Sequence, residues 1–297
     1  MVYLAAALLS ISKQNCQSYE VIVVDDGSTD ETARYIDSLG DHIFTIRQAN
    51  SGVSIARNRG AEIAKGKYLV FLDSDDVLLP WSLQCYSYVI SRFHPSVISA
   101  QPIDFENRVP TIQYDECENP VVTMFDDYLA SAKYHSFVGA SCMIVESNVF
   151  ARSGGFSSDM NVAEDFDLLL RIGVEKAYAR IEDPVTVAYR VHGENISRRL
   201  DPLVRGATRL LAREFEGAYP GGSKRLFDRI TIIGRVVRPV ILASLKRKRL
   251  KDAWHLYRKS FWMHVRLLRI RFLLGVAILF ILRFFKSGDA ERVGSPP

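Results

Sequence analysis

The sequence lacks the features that define several classes of protein. Its 297 residues include only four cysteines, Cys16, Cys85, Cys117 and Cys142, and no two of them form a CxxC pair. Such wide spacing argues against a disulfide framework or a zinc site and favours free thiols in a reducing cytosol. The N-terminal run MVYLAAALL lacks a basic segment and a clear cleavage site. It therefore predicts a helix rather than a signal peptide.

A long hydrophobic run is also missing. The most apolar part of the C-terminal region, residues 272–282, has 11 uncharged residues between Arg271 and Arg283. At ~1.5 Å per residue, a helix of that length is much shorter than the ~30 Å hydrocarbon core of a bilayer. Interleaved basic and aromatic residues such as Trp254 and Trp262 instead suit a helix lying in the membrane interface. The alternative is a basic helix that packs on the acidic part of the chain or on a partner.

Charge is distributed unevenly along the chain. Residues 1–220 contain 20 Lys and Arg against 30 Asp and Glu, a net of −10, and residues 221–297 contain 18 against 4, a net of +14. Together they give the net charge of +4. A basic tail predicts an anionic partner, either lipid headgroups or nucleic acid. Since the tail also carries aromatic residues, we expect an anionic membrane surface and no nucleic acid.

Three carboxylates follow a short apolar run. The sequence LVFLDSDD at residues 69–76 predicts a buried strand that ends at Asp73, Asp75 and Asp76. Clustered carboxylates repel one another, and Mg²⁺ or Mn²⁺ is the simplest counter-charge for oxygen ligands. Ligands also bind at the carboxyl ends of strands in open α/β sheets. The alternative is a solvated loop that caps a helix starting near Leu78.

Strand and helix patterns alternate with short connections. Apolar, β-branched runs at residues 20–24 and 69–72 predict strands, and residues 53–64 between them predict a helix. This order favours an α/β fold with three layers around a mostly parallel sheet. We expect a catalytic domain at residues 1–218 and a basic, helical tail at residues 219–297.

Four motifs occur in a fixed order: VVDDGSTD at residues 23–30, NSG with ARNRG at residues 50–60, FLDSDD at residues 71–76 and EDFDL at residues 164–168. Each is short and weak by itself, but together they are specific. In these motifs the sequence resembles the family 2 glycosyltransferases, whose fold is the GT-A nucleotide-sugar-binding sandwich. The resemblance covers roughly residues 1–200 and does not include the tail.

The resemblance implies a role for three residues in binding the nucleotide-sugar. Asp26, at the end of the first predicted strand, corresponds to the carboxylate that hydrogen-bonds the base of the donor. Arg57 corresponds to the family's arginine near the nucleotide. Asp73 corresponds to the first acid of the DxD pair, near the ribose.

The resemblance also implies a metal site and a general base. Asp75 corresponds to the metal-binding acid of the DxD pair, and His192 lies where many relatives have a histidine close to the metal and diphosphate. Asp165 corresponds to the general base. A divalent ion stabilises a diphosphate leaving group, and a carboxylate accepts the proton of an attacking hydroxyl. One metal site and one separate base suit a single displacement, which inverts the anomeric carbon.

These observations predict a membrane-associated, metal-dependent, inverting glycosyltransferase. We expect it to act peripherally, at the cytoplasmic face of the cell membrane. It would move a hexose or N-acetylhexosamine from a nucleotide-diphosphate donor, preferably a UDP-sugar, to a glycan or lipid-linked acceptor, as in cell-surface polysaccharide synthesis.

Two other functions stay open on sequence grounds. Family members usually begin with an apolar strand that forms part of the base pocket, whereas Met1 opens inside what should be the following helix. We therefore expect that strand to be absent and its neighbours to have unpaired backbone groups. A catalytically inactive, membrane-associated binding or scaffold protein is the first alternative. A nucleotidyltransferase or phosphatase using Asp73 and Asp75 is the second.

Overall fold

The computed structural model describes residues 1–16, 18–40, 43–109, 119–134, 139–193 and 195–292. The chain forms two compact units, Met1–Ile196 and Ser197–Pro297. The first unit combines strands and helices, and the second is helical. The expected functional boundary near residue 218 stays a prediction.

The strands all belong to the first unit. In chain order they are β1 (Ile22–Asp26), β2 (Phe44–Gln48), β3 (Tyr68–Val70), β4 (Val77–Leu78), β5 (Val97–Ser99), β6 (Pro102–Phe105), β7 (Val121–Phe125), β8 (Met143–Glu146), β9 (Tyr178–Asp183) and β10 (Val187–Arg190). The alternative in which the acids cap a helix starting near Leu78 is wrong, because Val77 and Leu78 pair with β10 as a short strand.

The helices are found in both units. They are α1 (Val2–Ser12), α2 (Thr32–Asp37), α3 (Val53–Ile63), α4 (Ser82–Phe93), α5 (Ser147–Arg152), α6 (Glu164–Arg171), α7 (Leu200–Phe215), α8 (Leu226–Lys246), α9 (Leu250–Arg266) and α10 (Ile270–Arg292). The predicted helices at the N-terminus and at residues 53–64 are thus confirmed within one or two residues.

The strands form three sheets with the orders β1-β2, β4-β10-β6 and β3-β8-β5-β9-β7. The predicted α/β fold class is confirmed, but the sheets are mixed rather than mostly parallel. Between described residues, three strand pairings are parallel and four are antiparallel. Three strands produce the antiparallel pairings: β8 lies between β3 and β5, β7 adds an edge to β9, and β4 adds an edge to β10.

Two strands near the predicted site have one free edge. Within the described chain, β1 pairs with β2 alone and β3 pairs with β8 alone. Both strands end where acids begin, β1 at Asp26 and β3 just before Asp73. Backbone N–H and C=O groups on these edges have no strand partner among the described residues.

The core of the first unit lies between α4 and the largest sheet. Ile98 of β5, Ile144 of β8 and Ile181 of β9 are fully buried against Tyr86 and Val89 of α4. Each such side chain contributes roughly 1.5–3 kcal/mol by leaving water. This packing fixes the ends of β3 and β8, and therefore the position of the acids that follow β3.

The second unit has an apolar helical core. Ile230, Ile233, Val237 and Ile241 recur every three or four residues along α8, and all are buried. Among the described residues, no helix is long and apolar enough to cross a membrane.

The structure describes three of the four cysteines. Cys16 and Cys142 carry free thiols, as predicted. Cys85 is disulfide-bonded, which corrects the prediction for that residue, and Cys117 lies outside the described residues. The error arose because spacing along the chain does not report which side chains the fold brings together.

Candidate active site

The three carboxylates after β3 converge. One oxygen each of Asp73, Asp75 and Asp76 lies within 4.8 Å of the others. The turn is closed by the Asp76 N–H, which donates to the Asp73 carbonyl at 3.0 Å, and the Asp73 N–H donates to Ser141 Oγ at 3.0 Å. The local chain thus holds the acids together instead of spreading them into solvent.

Asp76 is the member of the cluster whose surroundings best fit a bound cation. Its side chain is 1% exposed, and Oδ1 accepts from the backbone N–H of Arg190 at 3.0 Å. Its Oδ2 accepts no hydrogen bond of ordinary geometry from the described residues, although the nearby Ser141 hydroxyl favours the charged form of Asp76. Burial first, and then the charges of Asp73 and Asp75, raise the pKa of Asp76 to about 7. An orphaned buried oxygen beside two more carboxylates fits a hard divalent ion such as Mn²⁺ or Mg²⁺.

His192 joins this cluster from the loop after β10. Its Nε2 lies 2.9 Å from Asp75 Oδ2, and its backbone N–H donates to Asn195 Oδ1 at 2.6 Å. Tyr3 of α1 stacks on the imidazole with the ring centroids 5.3 Å apart. The structure therefore brings together Asp75 and His192, the two predicted metal ligands, across 117 residues of chain.

Arg57 of α3 connects the acids after β3 to the start of α6. Its guanidinium donates to Glu164 Oε1 at 2.7 Å and to Asp73 Oδ1. The arginine side chain is buried, with its Cζ 5.3 Å from the centre of the Phe156 ring. Burial opposes its charge, but Asp73 and Glu164 outweigh that effect and raise the pKa of Arg57 above its ordinary value.

Asp165 lies in the first turn of α6, next to Glu164. Ala163, just before the helix, adopts a left-handed conformation with φ of 64°, which turns the chain into α6. Asp165 Oδ1 accepts from the Phe166 N–H at 2.7 Å, and the side chain is partly buried. Burial first, and then the charge of Glu164, raise the pKa of Asp165 to about 8. A carboxylate with a raised pKa is a better proton acceptor than an ordinary one.

Asp26 belongs to a separate hydrogen-bond network at the end of β1. Its Oδ1 accepts from the Ser51 N–H at 2.7 Å and from Gln48 Nε2 at 2.8 Å, and its Oδ2 accepts from the Gly52 N–H at 2.8 Å. Burial raises its pKa, but these bonds outweigh burial and leave the pKa of Asp26 below its ordinary value. A carboxylate offers about four acceptor positions, so one remains for a ligand. Its predicted role toward the base stays a prediction.

Sequence reasoning missed three participants. Glu164 holds Arg57, and Arg190 donates from Nε to the Asp75 carbonyl at 2.9 Å. The Arg190 guanidinium also lies 4.7 Å from the Tyr3 ring centre. The position of Glu164 beside Asp165 was a usable signal. Arg190 and Tyr3 carry no local signal, because both contacts join distant parts of the chain.

Comparison with known proteins gives the family. The sequence profile described as Glycosyl transferase family 2 matches residues 2–150, half of the chain. The chain belongs to glycosyltransferase family 2. The matched range includes Asp26, Arg57, Asp73 and Asp75, while Asp165 and the residues after it lie beyond the match.

Curated relatives carry the same family designation. An uncharacterized glycosyltransferase of Haemophilus influenzae is 27% identical over 192 residues, which cover 61% of this chain and 62% of that protein. Uncharacterized glycosyltransferase RP339 of Rickettsia prowazekii is 27% identical over 230 residues, 75% of this chain and 68% of that protein. Escherichia coli YibD is 45% identical over 74 residues, 24% of this chain and 22% of that protein. This chain thus spans between 22% and 68% of the length of these relatives.

A solved structure shows the same fold. The family 2 chain matches S. aureus TarS 1–349 in complex with UDP-GlcNAc with a TM-score of 0.58, 17% sequence identity and coverage of 88% of each chain. At that identity the likeness concerns the fold alone. The predicted GT-A-like fold is confirmed by it.

Proposed function

We propose that this glycosyltransferase is metal-dependent and inverting, and that it uses a UDP-sugar as donor. The observation that carries the proposal is the double contact of Arg57. By holding both Asp73 and Glu164, Arg57 keeps the acid cluster after β3 beside the first turn of α6, where Asp165 lies. The acid cluster to which we assign the cation therefore lies beside a separate carboxylate of raised pKa, and this supports the proposal.

The donor proposal combines fold and residues. TarS, which shares the fold, was solved in complex with UDP-GlcNAc. In this chain we assign Asp26 to the base, Asp73 to the ribose and Arg57 to the nucleotide side of the site. Asp26 keeps one acceptor position for an N–H of uracil, and its hydrogen bonds fix its orientation.

The metal proposal follows from the donor set. Asp75 and His192 would hold Mn²⁺ or Mg²⁺, with Asp76 Oδ2 as a further buried oxygen. When bound, the ion neutralises the charge that develops on the diphosphate leaving group. Arg190 holds this arrangement in place, since its N–H binds Asp76 and its Nε–H binds the Asp75 carbonyl.

The proposed transfer is a single displacement. The acceptor hydroxyl oxygen forms a bond to the anomeric carbon, and the bond between that carbon and the diphosphate oxygen breaks. The electron pair leaves with the nucleotide diphosphate, and the hydroxyl proton passes to the Asp165 carboxylate. Because attack comes from the face opposite the leaving group, the anomeric configuration inverts.

We further propose a glycan or lipid-linked acceptor and a peripheral position at the cytoplasmic face of the membrane. Support comes from the net charge of +14 in residues 221–297 and from Trp254 and Trp262, which are half exposed or more in α9. Basic and amphipathic side chains of this kind suit an anionic interface.

The decisive experiment is calorimetric titration of UDP into the purified chain with and without Mn²⁺, for wild type, Asp75→Asn and Asp37→Asn. Asp37 is an exposed acid of α2 and serves as the matched control. We expect saturable binding that requires Mn²⁺ in wild type and in Asp37→Asn, and its loss in Asp75→Asn. Binding that is indifferent to Mn²⁺ would refute the metal proposal, and no UDP binding at all would favour a scaffold role. The anomeric configuration of the product, read by NMR, tests inversion.

A further inference from the structure

An aromatic ring from the start of the chain lies against His192, one of the two residues assigned to the metal. Tyr3, in the first turn of α1, stacks on the imidazole with the ring centroids 5.3 Å apart and an angle of 29° between the planes. Aromatic pairs prefer centroid separations of about 4.5–7 Å. At its edge, the same imidazole places Nε2 2.9 Å from Asp75 Oδ2. Tyr3 thus contacts the face of the imidazole while Asp75 contacts its edge.

The position of Tyr3 is not explained by the core of the first unit. The residue is 42% exposed, so its ring gains less by leaving water than a buried aromatic ring does. Its ring contacts two polar side chains of the site, the His192 imidazole and the Arg190 guanidinium, whose Cζ lies 4.7 Å from the ring centre. A half-exposed ring on two such groups indicates a role in holding them.

The helix that carries Tyr3 is attached to the chain that follows the acid cluster. Ser10 Oγ of α1 accepts from the Leu78 N–H at 3.1 Å, and Leu78 belongs to β4, which begins directly after Asp76. Strand β4 pairs with β10, and His192 lies two residues beyond the end of β10. The helix with Tyr3 and the loop with His192 are therefore held by the same pair of strands.

The backbone of His192 is fixed separately from its ring. The His192 N–H donates to Asn195 Oδ1 at 2.6 Å, and Asn195 Nδ2 donates to the Arg190 carbonyl at 3.1 Å. These two bonds close the loop, but they do not act on the imidazole, whose outer side-chain torsion is broad in histidine. The stack with Tyr3 acts on the plane of the ring itself.

We propose that Tyr3 is a positioning residue of the metal site, which holds the His192 imidazole with Nε2 directed at Asp75. The proposal rests on the proposed metal role of His192 and Asp75, and it adds a residue that touches neither substrate nor metal. Groups that orient a metal ligand from outside the coordination shell typically change metal affinity by about 10–100-fold when they are removed.

The test is Mn²⁺ binding by the full chain in the presence of UDP, measured by electron paramagnetic resonance. Tyr3→Phe keeps the stacked ring, and Tyr3→Leu removes it. Tyr19→Leu is the matched control, because Tyr19 is 40% exposed and its hydroxyl donates to the Ile11 carbonyl at 3.1 Å, at the end of α1 away from Tyr3. We expect Mn²⁺ affinity to be about tenfold weaker in Tyr3→Leu and unchanged in Tyr3→Phe and Tyr19→Leu.

A double-mutant cycle with His192→Ala separates positioning of the imidazole from a general effect on the site. His192→Ala lacks one proposed ligand and binds Mn²⁺ more weakly, and adding Tyr3→Leu should cause no further loss. A tenfold loss that persists in the His192→Ala background would overturn the proposal, because Tyr3 would then act through Arg190. Equal Mn²⁺ affinity in wild type and Tyr3→Leu would also overturn it but leave the metal proposal intact. Failure of wild type to bind Mn²⁺ would overturn both.

Nuclear magnetic resonance of the metal-free chain gives a readout that needs neither the ion nor activity. The ring current of a stacked tyrosine shifts the signals of the His192 ring protons upfield. That shift should be kept in Tyr3→Phe and in Tyr19→Leu and should disappear in Tyr3→Leu. Identical His192 signals in wild type and Tyr3→Leu would show that the stack does not form, and would overturn the proposal whatever the result for Mn²⁺.

Discussion

Each compact unit contains a buried arginine–glutamate pair, and the two pairs differ in what surrounds them. Arg229 in the second unit is 7% exposed. It donates from Nε to Glu214 Oε2 at 2.8 Å and from Nη2 to Glu214 Oε1 at 2.9 Å. Its Nη1 group donates to the carbonyls of Pro220 and Gly222, both at 2.8 Å. Arg57 in the first unit is 11% exposed but divides its guanidinium between Glu164 and Asp73.

The difference separates a structural ion pair from a functional one. At Arg229 one cation meets one anion, and the hydrogen-bonding groups are satisfied, as a stable buried pair requires. Around Arg57 the acids outnumber the cation, and Asp76 and Asp165 have pKa values well above that of an ordinary carboxyl group. Excess charge of one sign is unfavourable for folding alone, and it indicates a site that is completed by a ligand.

The largest effects are expected from removing single charges of the acid cluster. Asp165→Asn should lower kcat by about 10³-fold, because the amide cannot accept the acceptor's proton, while Mn²⁺-dependent UDP binding is kept. Asp75→Asn should lose both transfer and Mn²⁺-dependent UDP binding. Initial-rate kinetics and calorimetry on the same preparations separate the two. Wild-type rates in either variant would refute the assigned role, and Asp37→Asn controls for a general loss of charge.

The two arginine pairs give the next largest effect. Arg229→Met should lower the free energy of unfolding by about 3–5 kcal/mol, because Glu214 is left buried and unpaired, and should leave transfer per folded molecule unchanged. Arg57→Met should also destabilise, and should in addition lower transfer by about 10²-fold through misplacement of Asp73 and Asp165. Urea unfolding and kinetics at low temperature measure both. A similar loss of transfer in Arg229→Met and Arg57→Met would contradict the view that only the Arg57 pair is functional.

Much of this site could be predicted from the sequence, because its residues follow directly after local patterns. Asp26 and Asp73 come at the ends of apolar runs, and Asp165 comes at the start of an amphipathic helix. Such patterns report where a strand or helix ends, and the family's motifs add the roles. The α/β class followed from the same alternation.

The remaining features depend on contacts that no local pattern encodes. Arg190 meets Asp75 across 115 residues, and Tyr3 stacks on His192 from the opposite end of the first unit. The mixed character of the largest sheet depends in part on β8, whose run of apolar residues fits a parallel or an antiparallel position equally well. The segments that connect two strands decide whether the strands pair in parallel or antiparallel. The sequence of these segments shows little helix or strand pattern.

A smaller effect should follow from neutralising Glu164. Its negative charge helps to raise the pKa of Asp165, so Glu164→Gln should lower that pKa. Transfer requires the ionised Asp165, and the rate therefore falls as pH drops through its pKa. The acidic limb of the kcat profile should move down by about one pH unit, with a modest loss of rate from the weakened hold on Arg57. An unmoved limb would show that Asp165 is not the group titrating there.

The smallest effect concerns stability without metal or donor. The folded-state pKa of Asp165, about 8, is above the ordinary value of 3.8, so the folded chain binds this proton more tightly than the unfolded chain does. The resulting stability is fully present below pH 3.8 and is lost as pH rises through about 8. Asp165→Asn removes the free-energy cost of ionising this carboxyl group in the folded chain. Its melting temperature in EDTA should therefore exceed that of wild type by a few degrees at pH 8.5 and by less at pH 5.5. Arg229→Met, in the other unit, should shift melting equally at both pH values. If the gain in melting temperature of Asp165→Asn were the same at pH 5.5 and pH 8.5, the raised pKa of Asp165 would make no contribution to the stability of the folded chain.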